Sequence, residues 1–159
     1  MRDPQSHHAA MSGSGAYLQR TEAQREGWDW VLDSSRRARG FALYAALRSL
    51  GRQGVRELVE RCCDLAASMA GQLAEKPGFE VLNDVVLNQV LVRVTPAGGG
   101  DADEFTREVV RRIQADGTAW MGGTTWHGKA AIRISVSNWM TTKADADATV
   151  EAIVRAAAA

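Results

Sequence analysis

The stretch Ala130-Ala131-Ile132-Arg133-Ile134-Ser135-Val136-Ser137 alternates apolar and polar side chains from Ile132 to its end. Side chains on a strand point to opposite faces in turn, so Ile132, Ile134 and Val136 share one face and Arg133, Ser135 and Ser137 the other. One face suits a core and the other suits solvent or a ligand. The same period governs Leu87 to Val94, where Val90, Val92 and Val94 oppose Leu91 and Arg93. Phe79 to Leu82 reads as a short strand after the Pro77-Gly78 turn signal, and Thr118 to Thr125 as a further one. Helical patterns separate these strands. Asp101 to Gln114 aligns Phe105, Val109 and Ile113 on one face, and Lys143 to Ala157 follows Thr141 or Thr142 as its N-cap. From Phe79 the order is strand, strand, helix, strand, strand, helix. This predicts an α+β fold, a small antiparallel sheet with helices on one side.

Upstream the chain reads as helical. Arg36 to Leu50 is rich in Ala, Arg and Leu, and Gly51 marks a break. A second helix runs from about Gly54 to Ala74. Val55, Leu58, Val59, Cys62, Leu65, Ala66, Met69 and Leu73 recur at spacings of three and four, and Arg56, Glu57, Glu60, Arg61 and Asp64 lie off that face. The first 34 residues are mixed. Asp3 to Met11 suits a short helix ended by Ser12-Gly13-Ser14-Gly15. The polar run from Gln19 to Gly27, with Trp28 and Trp30 behind it, reads as a loop.

Composition bounds the function. The 159 residues carry 19 basic and 19 acidic side chains, so the net charge is zero. The electrostatic drive for general nucleic-acid binding is missing. No apolar run approaches the roughly 20 residues that span a bilayer, and the N-terminus offers no signal-peptide core. Two adjacent cysteines, Cys62 and Cys63, form no disulfide framework, which points to a reduced, cytoplasmic setting.

Several motifs carry a bland reading. Gly123-Thr124-Thr125-Trp126-His127-Gly128-Lys129 has the spacing of a phosphate loop, but Ala130 replaces the Ser or Thr that holds magnesium. A phosphate loop also leads into a helix, whereas this one leads into a strand. A hairpin turn fits better. His7, His8 and His127 lack partners at ligand spacing and read as solvated. Cys62 belongs to the apolar helical face. Ser35-Arg36-Arg37-Ala38-Arg39 sets positive charge at a helix start, where the helix dipole disfavours it, so carboxylates or a bound anion must offset it. Arg133, in mid-strand on the face it shares with Ser135 and Ser137, could hold a carboxylate through a bidentate guanidinium or serve a structural ion pair.

Ser35-Arg36-Arg37-Ala38-Arg39-Gly40-Phe41, Ala45-Ala46-Leu47-Arg48-Ser49-Leu50-Gly51, Phe79-Glu80-Val81-Leu82-Asn83 and Ala131-Ile132-Arg133-Ile134-Ser135-Val136-Ser137-Asn138 occur in that order. Together they resemble the C-terminal part of the pyridoxal-phosphate-dependent amino-acid decarboxylases, the aromatic-L-amino-acid and glutamate decarboxylase group. The resemblance runs from about Met11 to the end. It implies an aspartate-aminotransferase-like fold, with residues 1–34 ending the large domain and its active-site loop, 35–76 forming connecting helices and 77–159 the small C-terminal domain. It implies pyridoxal phosphate as cofactor, an amino acid as substrate and a homodimer, with no nucleic acid and no membrane as partner.

The resemblance also implies a lysine that directly follows a histidine and carries the cofactor. The three lysines, Lys76, Lys129 and Lys143, each follow another residue. By resemblance Arg133 sits where the glutamate decarboxylase branch contacts the substrate carboxylate, Arg36 and Arg37 belong to a helix-start signature, and Gln19 to Trp30 occupies the place of a mobile loop. That loop often bears a tyrosine, and here Tyr17 precedes it. The expectation is a decarboxylase fragment, inactive alone, with no catalytic and no cofactor-binding residue of its own. The alternatives are a non-catalytic interaction domain that pairs with a full-length relative, or a small-molecule sensor built on the sheet.

Overall fold

The computed structural model describes residues 3–13, 27–31 and 38–159. The chain divides into two compact units, Met1–Ser49 and Leu50–Ala159. The predicted Ser35-Arg36-Arg37 cluster, Tyr17 and most of the expected loop lie outside the described residues.

In the first unit, helix α1 spans Pro4–Met11, with Asp3 as N-cap accepting from the Gln5 amide and the Ser6 hydroxyl. A short 3-10 turn covers Gly27–Trp30. The histidines of α1 are not solvated as the sequence suggested. Both are half-buried, with rings 5.5 and 5.3 Å from that of Trp30. His8 Nε2 lies 3.4 Å from the buried Asp29 carboxylate, and His7 Nε2 lies 3.1 Å from the Trp30 carbonyl oxygen. Neighbouring helix positions diverge, but one broad indole reaches both rings.

Helix α2 spans Arg39–Ala74 and is broken at Gly51, where φ is 63° and ψ −176°. That conformation is open essentially to glycine alone, so the sequence break and the structural break coincide. Before Gly51, Phe41, Leu43, Tyr44 and Leu47 are exposed. After it, Cys62, Leu65, Ala66, Met69 and Leu73 form the buried stripe that the spacing predicted, and Ala70 joins them. Val59 departs from it. It is 51% exposed and lines a crevice with Cys63 and Leu87.

The second unit holds one antiparallel sheet, with β1 (Phe79–Val81), β2 (Gln89–Val94), β3 (Gly122–Trp126) and β4 (Lys129–Ser135) in the order β1-β2-β4-β3. Helices α3 (Ala102–Asp116) and α4 (Lys143–Ala158) complete it. Val90, Val92, Val94, Ile132, Ile134 and Val136 join α2, α3 and α4 in one core, while Arg133 and Ser135 on the opposite face are exposed. The α+β reading and the one-sided helical layer hold.

Strand β3 starts at Gly122, later than the expected Thr118, because its ladder with β4 opens at the pair Gly122–Arg133. The Gly123–Lys129 stretch is the β3–β4 hairpin, turned by His127 and Gly128 with φ of 47° and 79°. Positive φ at both central residues is the hairpin turn that matches strand twist.

Two side chains replace missing ladder bonds. The β2–β4 ladder ends at Val92–Ile132. Beyond it the Val94 amide donates to Thr106 Oγ1 at 3.1 Å, and the Ala130 amide donates to Asp103 Oδ1 at 3.2 Å. The N-terminal turn of α3 thus satisfies strand groups that would otherwise be orphaned. The Asn83 side chain accepts from the Leu91 amide at 2.7 Å and donates to the Gln89 carbonyl, which closes the β1–β2 connection.

Candidate functional site

Arg133 projects from the centre of β4 onto the outward sheet face. Its register partners are Leu91 on β2 and Gly122 on β3. Leu91 is buried, which closes one flank of the arginine, and Gly122 leaves the other open. The Arg133 guanidinium makes no hydrogen bond or ion pair among the described residues. Other arginines of the sheet and its neighbouring helices are engaged. Arg93, two residues from Leu91 on the same face, holds Asp103 at 2.7 Å, and Arg61 donates to the Trp139 carbonyl at 2.7 Å. Arg133 is therefore a planar, five-donor cation with open geometry on a rigid strand, suited to a two-point grip on a carboxylate.

The segment after β4 is fixed by local bonds. Asn138 Oδ1 accepts from the Met140 amide at 3.0 Å, and the Asn138 carbonyl accepts from the Thr141 amide. Thr142 then caps α4 in a reciprocal box with Asp145, so Thr142 rather than Thr141 is the N-cap. The hydroxyl and amide of Thr142 donate to Asp145, which holds that carboxyl below its ordinary value. Trp139 and Met140 are left exposed. A cavity of about 540 Å³ lies against this segment, lined by Met69, Trp120, Met121, Ile134, Met140 and Asp145 among others.

The lysines are scattered and solvated. Lys76 is exposed after α2, Lys129 lies 3.5 Å from Glu80, and Lys143 lies 2.6 Å from Asp147. None lines the cavity beside α4 or the crevice at Cys63. A lysine that forms a covalent bond to a carbonyl cofactor needs a desolvated amine in an enclosed site. These three do not fit that role.

Cys62 is buried and Cys63 half-buried in the crevice with Leu87. His127 sits exposed at the hairpin, its ring 4.6 Å from that of Trp126. Among the described residues no group of three His, Cys, Asp or Glu is arranged to hold a metal, and no helix is long and apolar enough to cross a membrane. Sequence reasoning found Arg133 from the strand period. It missed Gly122 as its neighbour, because pairing register is not written in either strand alone.

Residues 1–95 match the model of the pyridoxal-dependent decarboxylase conserved domain. The chain is 28% identical over 110 residues to tyrosine decarboxylase 2 of Arabidopsis thaliana, which covers 68% of the chain and 20% of that protein. It is 26% identical over 153 residues to tyrosine decarboxylase 1 of Narcissus pseudonarcissus, covering 89% of the chain and 30% of the relative. In fold it is similar to Oryza sativa TDC with PLP and tryptamine, with a TM-score of 0.77, 20% identity, and coverage of 95% of this chain and 33% of that one. The chain thus spans less than a third of the length of these two curated relatives. Pyridoxal phosphate is the cofactor of that family, and this chain belongs to the pyridoxal-dependent decarboxylases.

Proposed function

We propose that these residues are the C-terminal part of a pyridoxal-phosphate-dependent amino-acid decarboxylase, and that they contribute substrate binding rather than the cofactor lysine. The observation that carries this reading is Arg133, exposed and without a partner at mid-strand. The strand fixes where the arginine stands, and its planar fork meets a carboxylate at two points, which orients a substrate acid group. The bound cofactor would supply the electron sink for loss of carbon dioxide. The present lysines do not suit holding it. The division into an end of the large domain (1–34), connecting helices (35–76) and a small domain (77–159) belongs to the same proposal. So do the homodimer, the cytoplasmic setting and inactivity of the chain alone.

The test is a titration of the isotope-labelled chain with acetate, read at the backbone amides of β3 and β4. Saturable shifts around Arg133 that vanish in Arg133→Gln are the expected result. Shifts of equal size in Arg133→Gln would remove Arg133 from the site.

A further inference from the structure

The β3–β4 register sets Gly122 directly beside Arg133 on the outward face. Gly122 is the first residue of β3, and a glycine there gives up a side chain that could pack across the strand pair. The usual structural reasons are absent. The backbone of Gly122 is not in the positive-φ region. A Cβ built on it meets nothing within 4 Å, so no crowding excludes a side chain. The pairs run without a bulge from Gly122–Arg133 to Trp126–Lys129. Gly123 differs, because its Cβ would touch the Ala131 carbonyl oxygen and a Val110 methyl at 3.9 Å.

What stands beside Gly122 is the unpartnered guanidinium-bearing chain of Arg133, with Leu91 closing the other flank. Directly opposed Cβ atoms lie roughly 4.5–5.5 Å apart, so any side chain at 122 would occupy space next to the arginine. We propose that Gly122 is a specificity-determining position. The room it leaves admits the substituent of an organic carboxylate whose acid group Arg133 holds, and the ligands favoured are those bearing a ring or branch close to the acid. This rests on the reading of Arg133 as a carboxylate anchor.

The experiment titrates the chain with acetate and with phenylacetate, read at the backbone amides of β3 and β4, in the wild type, Gly122→Val, Gly122→Ala and Arg133→Gln. Valine is at home in an edge strand, and the alanine variant gives a smaller step at the same place. The expected result is a loss of phenylacetate affinity of about fivefold or more in Gly122→Val, a smaller loss in Gly122→Ala, and acetate affinity within about twofold of wild type in both, since a clash discriminates by size. Unchanged phenylacetate affinity in Gly122→Val overturns the inference, and so does an equal loss for both ligands. Acetate binding that survives Arg133→Gln refutes the anchor instead, which separates the two failures.

Discussion

Replacing Thr106 with valine removes one oxygen atom from the second unit and leaves its shape nearly intact. Thr106 is fully buried, and Val94 is 2% exposed. Thr106 Oγ1 accepts from the Val94 amide at 3.1 Å and lies 3.0 Å from the Val94 carbonyl and 2.7 Å from that of Ala102, to which its single hydrogen is shared. Valine fills almost the same volume and has a similar helix propensity, so neither a cavity nor the helix explains a large effect. The loss is that of an acceptor for a buried N–H and a donor for a buried carbonyl, and an unsatisfied buried group costs roughly 1–3 kcal/mol. Thr106→Val is therefore expected to lose about 2 kcal/mol, a fall in Tm of roughly 8–12 °C for a unit of this size. Thr106→Ser keeps the hydroxyl and drops one methyl, at a cost of about 1 kcal/mol. Urea and thermal unfolding followed by circular dichroism give both values. A valine variant as stable as the wild type, or more stable than the serine variant, would refute the idea that α3 caps the end of β2 through this hydroxyl.

Two further outcomes follow from local geometry. Gly78 has φ of 81°, and a Cβ there would lie 2.8 Å from the Thr95 carbonyl oxygen, so Gly78→Ala is expected to destabilise the sheet by about 1–3 kcal/mol in the same unfolding assay. Asp145 is held below its ordinary value of 3.8 by the Thr142 hydroxyl and then the Thr142 amide, and Asp101 below the same value by the Glu104 and Asp103 amides. A carboxyl depressed in the folded state stabilises fully above its unfolded value and loses that contribution as pH falls through the folded one. Stability is thus expected to hold from pH 7 to about 5 and to fall below about 4. Asp145→Asn, which is uncharged at every pH, should flatten part of that fall in acid unfolding curves.

The sequence made the sheet faces plain because Val90, Val92, Ile132 and Ile134 carry a strict period of two, which no helix can satisfy. It placed the break at Gly51 and narrowed the cap to Thr141 or Thr142 because each depends on one residue type in a local backbone setting. It did not show the start of β3, since Thr118 to Met121 have strand-like composition but no partner to pair with. Thr106 was invisible, because a threonine on a polar helix reads as surface until the strand edge above it is known. The pairing of His7 and His8 with Trp30 likewise spans 22 residues or more of sequence, with no periodic trace. Arg133 was legible as an odd polar residue in mid-strand. Its freedom from partners and its neighbour Gly122 required the register of three strands.

The central claim is that these residues supply an arginine for the substrate and no lysine for the cofactor. The most direct measurement incubates the chain with pyridoxal phosphate, records the visible spectrum, reduces with borohydride and maps any modified lysine by mass spectrometry. The account predicts no stoichiometric band and no lysine fixed in preference to the others. A distinct band, with one of Lys76, Lys129 or Lys143 stoichiometrically fixed, would contradict it.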